Sequence, residues 1–174
     1  MRTLKKLGIW FNYKFKPENE WLKFFDKLNE ANISECFINA NSSQLSYLIS
    51  LSNNYNLNIH GWMWTLNRPY DAKSSKNLHW YSVNKNGQNS YEYRPYVDYY
   101  QWLSPFSEGA REYIKDNFSK IASIEGLSSV HLDYVRYCDI FLPINLQKYY
   151  KINQTYEFPE YDFGYHPNGR DSFK

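Results

Sequence analysis

The segment SSVHLDYVRYC, residues 128–138, combines the pattern of a buried strand with polar side chains at alternate positions. Val130 and Leu132 suit a strand face that packs on helices, whereas His131 and Asp133 occupy the opposite face. A buried polar group without a partner costs about 1–3 kcal/mol in mutational terms, so an imidazole and a carboxylate on one face need a network or a ligand. This face is therefore the first candidate for a functional site.

On both sides of this segment along the chain, strand patterns alternate with helix patterns. Strands are predicted at Leu7–Asn12, Ile33–Ala40, Leu57–Thr65 and Leu127–Tyr137. Helices are predicted over Pro17–Ala31, Ser43–Tyr55 and Ser107–Ile124, with a short helix near Asn145–Tyr150. Strands that alternate with helices predict an α/β fold with a parallel sheet.

Alternation divides the side chains of each strand between the helices and the interior of a barrel. The set predicted to point inward is Trp10, Asn12, Phe37, Asn39, His60, Trp62, Trp64, His131 and Asp133. An inert core would use valine, isoleucine and leucine at these positions. Polar and aromatic residues concentrated on one face predict a binding or catalytic site.

The connection over residues 66–106 is long, has little periodicity and is rich in tyrosine. It also contains Trp80 and Trp102, so disorder is disfavoured. Because it follows a strand, we expect an ordered aromatic loop at the face where parallel α/β proteins build their sites. The turn-rich tail EFPEYDFGYHPNGR, residues 157–170, is predicted to be a solvated connector, with His166 as the cap of a site as the alternative.

Composition excludes several classes of protein. The 174 residues carry 20 Lys and Arg against 18 Asp and Glu, which argues against nucleic-acid binding. No apolar run could span a membrane, and the first residues as written are not a signal peptide. No glycine-rich phosphate motif follows the first strand, and no cofactor or metal is predicted. Cys36 and Cys138 are expected to be free buried thiols, with one disulfide as the alternative.

Four segments resemble a known family. HGWMWTLNRP (60–69), WYSVNKNGQNS (80–90), YYQWLSP (99–105) and VHLDYVRYCDIFLP (130–143) are similar to glycosyl hydrolase-like family 10 and its relatives, bacterial proteins with a TIM-barrel fold. The resemblance implies hydrolysis of a glycosidic bond in a carbohydrate. It also implies that Asp133 is the nucleophile or the carboxylate that stabilises the transition state, and that His60, Trp62, Trp64, Asn67 and Arg68 line the sugar site. Members of that family are often exported, so the sequence does not assign this protein to a cellular compartment.

The resemblance covers nearly the whole chain, yet a complete (β/α)8 barrel takes about 250 residues. We therefore expect a single barrel domain over 1–174 that holds about four βα units, the N-terminal half of a (β/α)8 TIM barrel. A second barrel half or another copy of the chain would cover its open edges. Glycosidases of this kind need a second carboxylate. The candidates within the chain are Asp71, Glu92, Asp98, Asp139, Glu157, Glu160 and Asp162.

Several roles stay open at this point. Asp133 either reacts with substrate or is a structural partner of Arg136 or a neighbouring tyrosine. Arg136 either keeps Asp133 ionised or binds substrate. His60 and His131 either hydrogen-bond sugar hydroxyls or join Asp133 around the metal of a metal-dependent hydrolase. The residues predicted to stack on sugar are Trp62, Trp64, Trp80 and Trp102. The alternative function is a carbohydrate-binding or degenerate barrel without catalysis.

Overall fold

The structure, a computed structural model, describes residues 6–94 and 96–174. Four parallel strands, β1 (Leu7–Asn12), β2 (Ile33–Asn39), β3 (Asn58–Trp64) and β4 (Ser129–Asp133), form one sheet in the order β1-β2-β3-β4. Helices α1 (Glu18–Glu30), α2 (Ser42–Ser52) and α3 (Glu108–Ala122) alternate with them, and α4 (Ile144–Tyr150) and α5 (Pro167–Asp171) follow. The predicted alternation is confirmed, and it corresponds to a partial α/β barrel.

The chain divides into two compact units. The sheet unit comprises residues 6–63 and Asp116–Asp133, and the loop unit comprises Trp64–Lys115 and Tyr134–Lys174. The single barrel domain over the whole chain stays a prediction.

The core of the sheet unit lies between the sheet and its helices, as alternation predicts. Its buried members are Cys36, Ile38 and Ile59 from the strands and Trp21, Phe25, Leu28, Leu45, Leu48 and Ile121 from the helices. Ile9, Phe11 and Val130 pack against it on the same side of the sheet. The alternation predicts Leu132 on this side too, but it is 49% exposed. The core therefore covers the start of β4 better than its end.

Local sequence signals explain where the helices begin. The Asn41 side chain accepts from the backbone N–H of Gln44 at 2.9 Å, and the Gln44 side chain accepts from the N–H of Asn41. This capping box satisfies two backbone donors at the start of α2. Helix α1 follows Pro17 and carries Glu18 and Glu20 in its first turn, where acidic groups are favourable.

The loop unit is folded by short bridges and turns. Antiparallel bridges join Asn67 to Trp102 and Tyr81 to Leu103. Turns of 3-10 helix occupy Ser74–Lys76 and Leu78–Trp80. Residues 66–106 are therefore held by their own backbone hydrogen bonds, and the described residues among them form no α-helix or sheet strand.

The tail and the end of β4 differ most from the sequence prediction. The tail is not a solvated connector, because Tyr161, Phe163 and His166 are at most 8% exposed and Gly164 bridges to Val83. The tail is therefore packed against the protein, because burial of its aromatic rings outweighs its turn-forming composition. Strand β4 ends at Asp133 and not at Tyr137, since Tyr134 turns the backbone with a φ of 53°.

The two cysteines are free and buried, as predicted. Burial raises the pKa of each thiol to about 12, so both are protonated at neutral pH. Across the described residues, no helix has the length and apolar character that crossing a bilayer requires.

Candidate functional site

The inward face of the sheet unit presents a row of stacked rings. The strand register places Trp10 beside Phe37 and Phe37 beside His60. Ring centroids lie 4.0 Å apart for the first pair and 4.5 Å for the second, with nearly parallel planes. The imidazole of His131 meets Trp10 and Phe37 edge-on at 5.8 and 5.6 Å. Four residues that alternation predicts to share a face therefore touch one another.

A hydrogen-bonded network lies on the same face near the amino ends of the strands. Nε2 of His60 is 2.7 Å from Oε2 of Glu35, and its Nδ1 is 2.7 Å from Oγ of Ser129. The other carboxylate oxygen of Glu35 accepts from Asn58 at 2.9 Å and pairs with the Lys6 ammonium at 3.0 Å. We call Glu35, His60 and Ser129 the relay, because they form one continuous chain of hydrogen bonds.

Sequence reasoning missed two of the three relay residues. Glu35 is two residues before the inward-facing Phe37, and Ser129 is two before the inward-facing His131. The period of two that selected the later residues would have selected these as well. Both lie toward the amino ends of their strands, away from the carboxyl ends where parallel α/β proteins build their sites.

The relay fixes the charge of Glu35. Burial by itself would raise the pKa of this carboxyl, but hydrogen bonds from His60, Asn58 and Lys6 and the ammonium charge outweigh it and lower the pKa to about 2. Glu35 is therefore an ionised acceptor at neutral pH and cannot donate a proton there.

At the carboxyl ends of the strands lie the predicted Asn12, Asn39 and Asp133. Asn12 and Asn39 are paired in register, and Asp133 is the half-buried last residue of β4. Tyr134 follows directly in the left-handed region, which is uncommon for a bulky residue. Such strained positions cluster at functional sites, so this corner remains the candidate for chemistry at Asp133.

The loop unit contains a separate aromatic cluster. Trp64 is half-buried, with its ring 4.9 Å from Tyr134 and 6.0 Å from Tyr99. Trp102 is 1% exposed and meets Tyr134 at 5.3 Å. The Arg136 guanidinium lies 5.2 Å above the Trp102 ring and 5.3 Å from Tyr134. Trp64 is thus the more accessible of these two tryptophans.

Arg136 forms its ion pair with Asp139, 2.9 Å away. The other oxygen of this carboxylate accepts from the Tyr100 hydroxyl at 2.6 Å, and the Tyr96 hydroxyl donates to the Asp139 backbone carbonyl. Burial and this hydrogen bond raise the pKa of Tyr100. Both carboxylate oxygens of Asp139 are thus occupied within the loop unit.

Asp71, another candidate second carboxylate, is also engaged. It accepts from the backbone N–H of Ser74 at 2.8 Å and from the hydroxyl of Tyr113 at 2.7 Å. Burial alone would raise its pKa, but these bonds and nearby Arg68 lower it. A carboxyl with a lowered pKa is a poor proton donor at neutral pH.

Three of the predicted sugar-binding residues are buried inside the loop unit. Asn67 is fully buried and accepts from the Gln101 backbone N–H at 3.0 Å. Trp80 is 9% exposed and stacks on Tyr113 at 5.7 Å. Trp102 is almost completely buried. We therefore propose no direct sugar contact for these three, whose contribution would be to shape the loop unit.

The remaining predicted residues divide between the units. Trp62, half-buried, belongs to the sheet unit. Arg68 belongs to the loop unit, where its Nε donates to the Thr65 carbonyl at 3.1 Å and its guanidinium lies 5.8 Å from the Tyr113 ring. Within residues 6–94 and 96–174, no group of three or more His, Cys, Asp or Glu is arranged to hold a metal ion.

Comparison with known proteins shows that the fold of this chain is similar to part of a solved structure. No protein-family model and no curated protein matches the chain. Among solved structures, it is similar to a polyextremophilic β-galactosidase from the Antarctic haloarchaeon Halorubrum lacusprofundi, with a TM-score of 0.57 and 12% sequence identity. The alignment covers 74% of this chain and 21% of that one, so this chain matches about a fifth of the β-galactosidase. The resemblance to glycosyl hydrolase-like family 10 stays a prediction.

Proposed function

We propose that this chain acts on or binds a carbohydrate through the inward face of its sheet unit. The observation that carries the proposal is Trp10, which is 53% exposed although its ring is stacked on Phe37 at 4.0 Å. A large ring that is both exposed and held rigid is suited to stacking against a flat apolar ligand face such as that of a sugar. The fold likeness to a protein named as a β-galactosidase supports the same class of ligand.

Polar groups on the same face complement the ring. His131 contacts Trp10 edge-on, and Asp133 lies two residues further along β4 on the same side of the strand. Imidazole and carboxylate groups hydrogen-bond hydroxyls, which a sugar offers in number. We propose that Asp133 is the nucleophile, or the carboxylate that stabilises an oxocarbenium-like transition state.

Binding is tested by titrating a panel of oligosaccharides into the protein by calorimetry. Trp10→Ala should weaken the binding of any positive ligand about tenfold, since an aromatic contact contributes about 0.5–1.5 kcal/mol beyond its buried area. Phe15→Ala is the matched control, because Phe15 is 86% exposed and lies outside the strands. Equal affinity of the Trp10→Ala variant and the wild type would remove Trp10 from the site.

Catalysis is tested separately by substituting the carboxylate. Asp133→Asn should abolish turnover of any glycoside that the wild type hydrolyses while the protein stays folded. Asp116→Asn, at an exposed position of α3, is the control for the loss of one negative charge. Unchanged turnover in Asp133→Asn would show that this carboxylate does not react.

A binding protein without catalysis is the second candidate function. Asp71 and Asp139, two of the carboxylates that could assist Asp133, are both committed to internal hydrogen bonds. A two-carboxylate mechanism needs a second group that is able to donate or accept a proton. Oligosaccharide binding that survives in Asp133→Asn, without turnover by the wild type, would establish this second function.

A further inference from the structure

The relay has the connectivity of an activated serine. The Ser129 oxygen lies within hydrogen-bond distance of the His60 imidazole, and the opposite ring nitrogen lies equally close to the Glu35 carboxylate. A hydroxyl in contact with a base, with that base oriented by a third group, is the geometric signature of an activated nucleophile. The three residues come from three neighbouring strands, so their spacing is set by the sheet itself.

The charge of Glu35 determines which ring nitrogen of His60 can act as the base. An ionised carboxylate only accepts hydrogen bonds, so in the neutral imidazole the proton sits on Nε2 and is donated to Glu35. Nδ1 is then the acceptor, and the Ser129 hydroxyl donates to it. This is the tautomer that a general base needs.

Neighbouring side chains hold the His60 imidazole in place, whereas Ser129 is accessible to solvent. The His60 ring is stacked on Phe37 at 4.5 Å and is 9% exposed. Glu35 is held in turn by Asn58 and Lys6. Ser129, in contrast, is an exposed residue at the start of β4. A fixed base beside an accessible hydroxyl is the arrangement that reduces the entropy lost on reaction.

We propose that Ser129 is a nucleophile toward small activated carboxylic esters, with His60 as its general base and Glu35 as the residue that positions His60. The Ser129 oxygen forms a bond to the acyl carbon while its proton passes to Nδ1 of His60. The bond to the alcohol oxygen then breaks, and the alcohol leaves with that proton. Water attacks the acyl-serine in the same way and releases the acid. This activity is distinct from the carbohydrate function proposed above and does not depend on it.

The test uses the full chain with two probes, p-nitrophenyl acetate and diisopropyl fluorophosphate. Wild type should release p-nitrophenol above the buffer rate, and the fluorophosphate should add one diisopropylphosphoryl group to Ser129 with loss of fluoride, detected by intact and peptide mass spectrometry. Ser129→Ala should lose both signals. Ser128→Ala, which replaces the exposed neighbouring hydroxyl, should keep both.

Two further variants separate the roles within the relay. His60→Gln should lower the rate of acylation about 100-fold, in the range measured for general bases. Glu35→Gln should lower it about tenfold at pH 7, while a folded circular-dichroism spectrum shows that the loss is not unfolding. No adduct on the folded wild type, or an adduct that persists in Ser129→Ala, would overturn the proposal and leave the relay as a structural tie between strands.

Discussion

Replacing Glu35 with glutamine should change how the stability of the sheet unit depends on pH. Glutamine keeps the size and one carbonyl oxygen of the side chain but removes the negative charge that Lys6, Asn58 and His60 contact. These contacts lower the folded-state pKa of Glu35 from 4.5 to about 2. A group with a lowered folded pKa stabilises the fold above its unfolded pKa, and that stability is lost as the pH falls through the folded value.

The magnitude follows from the two pKa values. A separation from 4.5 to about 2, at about 1.4 kcal/mol per pH unit, gives an upper limit of about 3 kcal/mol at neutral pH. Glutamine retains part of the hydrogen bonding and the side chain is 14% exposed, so we expect a measured loss of about 1–3 kcal/mol. At pH 3 the difference between wild type and variant should shrink to roughly two-fifths of its neutral value.

The assay is urea unfolding followed by circular dichroism at pH 7, 5 and 3. Glu30→Gln is the control, because Glu30 is exposed at the end of α1 and its loss should stay within about 0.5 kcal/mol. Comparing each variant with wild type at the same pH cancels the titration of the other carboxyls. A free-energy difference that stays constant from pH 7 to pH 3 would refute the inference that Glu35 acts through its charge.

Three more predictions concern packing and capping. Gly61→Ala should lower the free energy of unfolding by about 1–3 kcal/mol, because its Cβ would lie 2.8 Å from Ile121; urea unfolding of this variant against wild type measures the loss, and equal stability would contradict it. Asn41→Ala should lower it by about 1 kcal/mol through loss of the α2 cap, and Asn41→Ser should restore most of that in the same assay. Gly109→Ala should displace Trp80, because its Cβ would clash with the indole nitrogen of that ring; a shift in tryptophan fluorescence would report the movement, and an unchanged spectrum would contradict it.

The sequence predicts the sheet unit well because each of its strands has one face buried against helices. A shift of one residue in Ile33–Asn39 would expose Cys36 and Ile38, so alternation fixes which side chains point inward. The stacking of Trp10, Phe37 and His60 follows from that alternation together with the parallel register.

The loop unit could not be derived in the same way. Its order comes from single bridges between distant segments, such as Tyr81 with Leu103, and from contacts of individual rings. Neither kind of contact produces a regular spacing of apolar residues that could be recognised in the sequence. The partner of Arg136 was missed for the same reason, because Asp139 lies in an irregular segment where no register selects a neighbour.

The two buried thiols allow the opening rate of each unit to be measured separately. Cys36 lies in the sheet unit and Cys138 in the loop unit, and they are the only cysteines in the chain. With a pKa of about 12 and at most 6% exposure, neither thiol can react with an alkylating reagent until its surroundings open. The labelling rate at each cysteine, read by peptide mass spectrometry, therefore measures how often that half of the molecule exposes its interior.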